Sequence, residues 1–405
     1  MKAGWEEASM GDLCALVRGP FGGSLKKAIF KPSGYAVYEQ QHAIRDQFED
    51  FRYFVDQAKF EEMARFSVNP GDIIMSCSGT MGKVAKVPES APVGIINQAL
   101  LKISPLGKIY PDFLMLWMES PGFQDQLSST TMGVAIKNVA SVKTLKGMPI
   151  PLPPLEEQQR IVAVLDEAFE GLARARGHAE ANLQNARELF DRAVFELFEN
   201  LRIEHPTLEL SEMAEKITKG SSPKWQGISY VDEPGVLFVT SENVGKNEID
   251  LAKTKYVEKA FNEKDRKSIL AKGDVLTNIV GASIGRTAVF ELDDVANINQ
   301  AVCLIRCDSK RLNNYFLSYL LNSPYFKAQL HAGEVNMARA NLSLTFFREL
   351  KVPVPPVDMQ EEVVQEVDAL RLKTETLEKD YQSKLQDLDD LRQSLLQKAF
   401  AGELT

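Results

Sequence analysis

The sequence predicts an α+β chain built as a tandem repeat: two globular units, each followed by a long helix. The two helices are expected to run antiparallel as an intramolecular coiled coil. Three observations carry this. Two proline-led stretches each open a long apolar 3-4 pattern, they lie 202 residues apart, and three further motifs repeat at an offset of 202 or 203. The expected boundaries are 1–153 for the first globular unit, 154–203 for the central helix, 204–354 for the second unit and 355–405 for the C-terminal helix.

The first helix is announced by Pro151-Leu152-Pro153-Pro154-Leu155-Glu156-Glu157-Gln158-Gln159. Prolines end what precedes them, and Pro154 suits a first helical turn, where its missing N–H costs nothing. Glu156 and Glu157 fall where the helix dipole favours negative charge. A 3-4 spacing then runs through Leu155, Gln158, Val162, Leu165, Phe169, Leu172, Arg176, Ala179, Leu183, Ala186, Phe190, Ala193 and Leu197. Such a seam belongs to a helix packed along another helix. At 1.5 Å per residue the run is on the order of 65–70 Å long. Val352-Pro353-Val354-Pro355-Pro356-Val357 repeats the lead-in, and Val363, Val367, Leu370, Thr374, Leu377, Tyr381, Leu388, Leu391 and Leu395 form the second seam. Neither stripe is buried by its own helix, so each is expected to cover the other.

The globular units share a frame. Gly71-Asp72-Ile73-Ile74 and Gly79-Thr80-Met81-Gly82-Lys83 reappear as Gly273-Asp274-Val275-Leu276 and Gly281-Ala282-Ser283-Ile284-Gly285-Arg286. Ile96-Asn97-Gln98-Ala99 reappears as Ile298-Asn299-Gln300-Ala301, and Ser120-Pro121 as Ser323-Pro324. Several motifs in register define a duplication. Within each copy, Gly-Asp opens a short strand, the paired glycines turn into another at Lys83–Val87 or Arg286–Phe290, and Asn-Gln leads a third. Asp112–Glu119 and Asn314–Asn322 read as short helices closed by Ser-Pro. Residues 20–65 do not resemble 221–265, which predicts one frame carrying unlike inserts for two targets. Because each helix leads out of its own unit, an antiparallel pair would set the units at opposite ends about an approximate twofold axis, as in dimeric DNA readers.

The net charge of −9 is unevenly placed. Residues 1–153 hold 16 basic and 15 acidic side chains and residues 204–353 hold 19 of each, while 154–203 hold 6 against 10 and 354–405 hold 6 against 12. The acidity therefore sits on the helices, where Glu167, Glu170, Glu375 and Asp387 read as solvation, and the neutral globular units remain open to nucleic acid. No apolar run approaches the length of a membrane span, and the N-terminus carries no signal-peptide pattern. Cys14, Cys77, Cys303 and Cys307 are unpatterned and read as buried free thiols of a cytoplasmic protein.

No catalytic constellation emerges. A methyltransferase needs an Asn/Asp-Pro-Pro-Tyr/Phe type motif and a glycine-rich cofactor loop, and neither is present. Gly79-Thr80-Met81-Gly82-Lys83 lacks the spacing of a phosphate loop. His42, His178, His205 and His331 cluster with no ligand partners, His178 reading as solvated and His42 and His331 as loop or helix-edge residues.

Over its full length the chain resembles the specificity subunit of type I restriction–modification systems. The resemblance rests on the Gly-Asp-Ile-Ile…Gly…Gly-Lys strand pair, the Asn-Gln strand, the doubled Pro-Pro helix lead-in, and the terminal Leu395-Leu396-Gln397-Lys398-Ala399-Phe400-Ala401-Gly402-Glu403-Leu404. It implies that the globular units are target-recognition domains, each reading half of a split duplex DNA site. The helices would serve as spacer and as docking surface for methyltransferase subunits, two of them, joined by a restriction and translocation subunit. Docking is expected around Gln158, Gln159, Gln360 and Glu361. No cofactor is expected on this chain; S-adenosylmethionine, ATP and Mg would belong to the partner subunits. The stretch before the first unit is short, so a circular arrangement would have to close through the C-terminal tail.

DNA-contact candidates follow from side-chain chemistry. Gly19–Lys27 is a glycine-rich loop with Ser24, Lys26 and Lys27, and Gly220–Trp225, with Ser221, Ser222 and Lys224, is its counterpart. Backbone N–H groups, hydroxyls and lysines are the usual phosphate-positioning set. Lys137 and Asn138 match Arg339 and Asn341 in position, and all four suit base or phosphate contacts. Lys83 and Arg286 share a frame position, which points to a common backbone contact. Gln40, Gln41, Arg45, Arg52 and Tyr53 lie in the first insert as candidate base readers. Two competing readings are a coiled-coil scaffold that binds proteins through its end domains and an enzyme that modifies DNA alone. The Lys-ended glycine loops favour DNA over the first, and the missing cofactor motifs oppose the second.

Overall fold

The computed structural model describes residues 2–21, 23–130, 139, 141–232, 235–334 and 342–404. Two compact units divide the chain: residues 1–179 together with 383–405, and residues 180–382. The long helices run Leu155–Glu204 and Val357–Ala401. Each unit therefore contains a length of both.

Within the first unit an antiparallel four-stranded sheet orders strands Cys14–Arg18, Leu100–Pro105, Ile73–Ser76 and Val84–Lys86. The second unit repeats it with Ala214–Lys219, Val302–Cys307, Val275–Asn278 and Thr287–Val289. The hairpin turns need left-handed backbone at Gly79 and Gly82, and at Gly281 and Gly285 (φ between 66° and 80°), which glycine adopts without steric penalty. Short helices follow at Pro111–Glu119 and Asn314–Asn322. The Ser-Pro pairs close these helices and also open new ones, because the Ser120 and Ser323 hydroxyls accept from the N–H groups of Phe123 and Phe326.

The inserts, unlike in sequence, share a topology. In the first unit, strand Tyr35–Tyr38 pairs parallel with Gly94–Ile96 and antiparallel with Phe54–Val55. In the second, Val236–Val239 pairs parallel with Ala296–Ile298 and antiparallel with Tyr256–Val257. The inserts are unlike in sequence, as expected, yet their strands pair in the same way. The frame extends into the inserts, and only its decoration differs.

Each unit contains an antiparallel helix pair. In the first, Arg176 bonds Asp389 at 2.5 Å and the Arg392 guanidinium lies 4.4 Å from the Phe169 ring centre. In the second, Arg187 bonds Glu378 at 3.0 Å, and Val194, Phe198 and Leu201 share a core with Val363 and Val367. Most of the expected seam faces inward, but Leu377 (44% exposed) and Leu391 (47% exposed) do not. Glu378 and Arg392 hold the inward positions beside them, stabilised by ion pairs to Arg187 and Glu119. Leu155, at the first helical position, is also largely outside the seam.

The first unit's core joins Phe113, Leu114, Trp117 and Phe123 to Ile161, Leu165, Leu396 and Ala399. Each fully buried side chain of this size contributes roughly 1.5–3 kcal/mol, so both chain ends are energetically part of this unit. A Cβ on Gly402 would lie 2.6 Å from the Cβ of Lys2, so the C-terminal tail runs beside the N-terminal stretch within this unit.

Gln158 and Gln360 are buried, which corrects their reading as docking residues. Gln158 Oε1 accepts from Tyr110 N–H at 2.7 Å, and its Nε2 donates to the carbonyls of Pro153 and Lys108. Gln360 makes the same set with Asn313 N–H, Pro355 and Arg311. Gln159 and Glu361 remain exposed. Gln158→Ala would strand backbone groups in a buried place, so we expect a loss on the order of 2–3 kcal/mol in urea unfolding, against under about 0.5 for Gln159→Ala.

All four cysteines are free; Cys14, Cys77 and Cys303 are buried, and burial pushes their thiols up to about 12. A raised folded-state value means stability that is complete below the ordinary thiol range and lost as pH climbs from about 9 toward 12. Melting temperatures recorded from pH 8 to 11 should fall, and Cys303→Ala should flatten the slope.

Candidate nucleic-acid interface

The same end of the antiparallel sheet gathers the candidate loops in both units. In the first, Arg18 and Ser76 both lie at the strand end marked by Leu100 and Leu101. Gly19 N–H donates to Leu100 O and Cys77 N–H to Ala99 O, each at 2.9 Å, and Val139 N–H donates to Cys77 O at 3.1 Å. The glycine loop, the 77–83 turn and Val139 therefore converge. In the second unit Ile279 N–H donates to Ala301 O and Leu342 N–H to Ile279 O, both at 2.9 Å, beside Lys219 and Asn278. Gly19 and Gly220 allow this convergence. A Cβ on either would lie 1.8 Å from a carbonyl oxygen, of Asn97 or of Ile298.

Ser24, Lys26 and Lys27 stand exposed on the first loop, with the Ser24 hydroxyl donating to Phe21 O at 3.2 Å. The two lysines form no ion pair among the described residues, which leaves both cations available to an anionic ligand. Lys224 is likewise exposed, and Ser222 is half-buried. Ser221 is committed internally: its hydroxyl donates to Asp265 and accepts from Gln226. Arg286 is exposed beyond the Gly285 turn. Lys83 instead lines a groove of about 450 Å3 with Asp46, Glu119 and Arg392, the last two paired at 2.7 Å. Lys137, Asn138, Arg339 and Asn341 lie outside the described residues.

Among the insert candidates, Gln40 accepts from Ser78 N–H at 3.3 Å, tying its helix to the turn. Arg52 bonds Glu39 at 3.0 Å and stacks 4.5 Å from the Tyr53 ring centre. Gln41 is half-buried and Arg45 exposed. His42 is not a loop residue: it is buried in helix Gln40–Arg45, its ring stacked 4.4 Å from Phe51. Its Nδ1 accepts from Glu39 N–H at 2.8 Å, so Nε2 carries the proton given to the Asp50 carbonyl. Two aromatics passed unassigned in the sequence, Phe21 (77% exposed) and Trp225 (84% exposed), although each sits in a candidate loop. Their signal was a large apolar side chain among glycines, serines and lysines, where no core position is available.

The architecture defines a tandem-repeat protein in which one loop-bearing α+β frame occurs twice, each copy followed by a long helix. This chain belongs to the type I restriction modification DNA specificity domain family, which matches residues 2–176 and again 204–386. It is similar to the type I restriction enzyme EcoBI specificity subunit of Escherichia coli, at 26% identity over 360 residues covering 84% of this chain and 74% of that one. The MjaVIII specificity subunit of Methanocaldococcus jannaschii is 24% identical over 391 residues, 90% of this chain and 86% of the relative. A chain solved in a study of complex assembly and conformational transition of the type I R-M system shares the fold with a TM-score of 0.77 at 22% identity, covering 100% of this chain and 99% of that one. The HsdS subunit of Thermoanaerobacter tengcongensis aligns at a TM-score of 0.63 and 22% identity, over 99% and 98% of the two chains. No helix among the described residues is long and apolar enough to cross a membrane.

The loop assignments predict different costs. Lys26→Ala with Lys27→Ala should leave urea unfolding within about 0.5 kcal/mol of the parent. Ser221→Ala should cost roughly 1–3 kcal/mol, because Asp265 and Gln226 lose their shared partner.

Proposed function

We propose that this chain is the non-catalytic specificity subunit of a type I restriction–modification complex, working in the cytoplasm, and that its two units each read one half of a split duplex DNA site. The observation that carries this is the duplicated sheet end. One backbone frame presents a glycine loop and a glycine turn in both units, joined by Val139 in one and Leu342 in the other, with different side chains on each. A constant frame with variable loops suits two half-sites that share a backbone and differ in bases. The long helices set the half-site spacing and offer the exposed Gln159 and Glu361 to two methyltransferase subunits, through which a restriction and translocation subunit joins. S-adenosylmethionine, ATP and Mg belong to those partners.

The reading is tested by methylome sequencing of cells carrying this chain with its methyltransferase, beside a version in which residues 20–65 come from a relative. A split motif in which one half alone changes is the expected result. An active methyltransferase that marks no split motif would sink the proposal and favour a protein-binding scaffold. In vitro, Lys26→Ala with Lys27→Ala should lower the slope of log affinity against log salt by roughly 2, since each phosphate contact contributes about 0.9.

A further inference from the structure

The duplication acts as an internal comparison, because it retains some polar side chains and lets others change. Most retained ones have a structural reason. Asp72 and Asp274 accept from the N–H groups of Asn69 and Ala271 at 2.8 and 2.7 Å. Asn97 and Asn299 close their turns by accepting from Ala99 and Ala301 N–H, both at 3.0 Å. Ser120 and Ser323 cap helices, and Gln158 and Gln360 hold the long helices to their units.

Gln98 and Gln300 have no such reason. Both are exposed, and neither side chain has a hydrogen-bond partner among the described residues. Both lie in the Asn-Gln turn over which the glycine loop passes: a Cβ on Gly19 would come within 3.1 Å of the Gln98 Cα, and one on Gly220 within 2.7 Å of the Asn299 carbonyl oxygen. Exposed positions on a folded unit are the ones free to drift, since substitutions there change stability little. Retention of the same free amide at the centre of both loop clusters calls for an external partner common to both units.

We infer that Gln98 and Gln300 each donate a hydrogen bond to the sugar–phosphate backbone of bound DNA, in the same way in both units. This rests on the DNA reading proposed above. Two half-sites of different sequence have their backbone in common, and a side chain identical in both units suits that shared feature, whereas base edges call for side chains that differ. The carboxamide is neutral, so it adds direction and register to the charge supplied by Lys26, Lys27 and Lys224 without releasing counterions of its own.

The test uses the full chain co-purified with its methyltransferase subunits and a labelled duplex carrying the split motif, beside an unrelated duplex, across a salt series. Gln98→Ala and Gln300→Ala are each expected to weaken binding about 3- to 10-fold on both duplexes. The salt slope and the methylated motif should stay as in the parent, with unchanged unfolding midpoints confirming the fold. Gln98→Glu should weaken binding further, by placing a carboxylate against phosphate. Parent-like affinity in both alanine variants overturns the inference, as does a loss confined to the split motif with relaxed specificity at one base, which would make the residue a base reader. If the parent complex itself fails to prefer the split motif, the DNA reading falls first, and this inference with it.

Discussion

A single buried amide at the head of each long helix sets the geometry on which the rest of the structure depends. Gln158 and Gln360 each tie together a proline lead-in, the loop before a short helix and the first turn of a long one. The two-stranded pairing of Pro149–Leu152 or Lys351–Pro353 is small, and the amide adds three hydrogen bonds that hold the helix head to its unit. With it, the aromatic core of the first unit can continue from Phe113 and Trp117 onto Ile161 and Leu165 without a gap. Direction at the helix head is converted into packing along its length.

Once each helix is aimed, the division of labour inside a unit follows. Backbone pairing, glycine turns and carboxylate or amide caps build a common frame, and exposed loop side chains such as Lys26, Lys27 and Lys224 are relieved of structural duty. That explains how two inserts without sequence likeness occupy the same parallel pairing, Tyr35–Tyr38 on Gly94–Ile96 and Val236–Val239 on Ala296–Ile298. Strand pairing here is made by main-chain groups, so many side-chain sets satisfy it.

The same point marks where sequence reading reached and where it stopped. The long helices, the duplicated hairpins and the short helices were legible because apolar period, paired glycines and proline leave local traces. The topology of the inserts was not, because parallel pairing joins segments distant in sequence with no motif at either. The 3-4 spacing turns Gln158 inward, but its role as a clamp leaves no local trace, because its partner Tyr110 lies 48 residues away in sequence. Leu377 and Leu391 were placed in the seam on hydrophobicity alone, yet Glu378 and Arg392 hold the inward places by pairing with Arg187 and Glu119. Of the site, the loops were legible by their glycines and lysines. The internal commitment of Ser221 and the groove that Lys83 shares with Asp46 and Glu119 depend on three-dimensional neighbours.

The units also differ in how the chain supplies them. One is a continuous run, 180–382, while the other is assembled from 1–179 and 383–405. During synthesis the continuous unit has every residue it needs once Gln382 has left the ribosome. The N-terminal unit, though made first, must wait with an open apolar face until Leu396 and Ala399 arrive to complete its core. Order of synthesis and order of completion are therefore reversed. A stop codon in the last two dozen positions would damage the beginning of the protein and spare its middle.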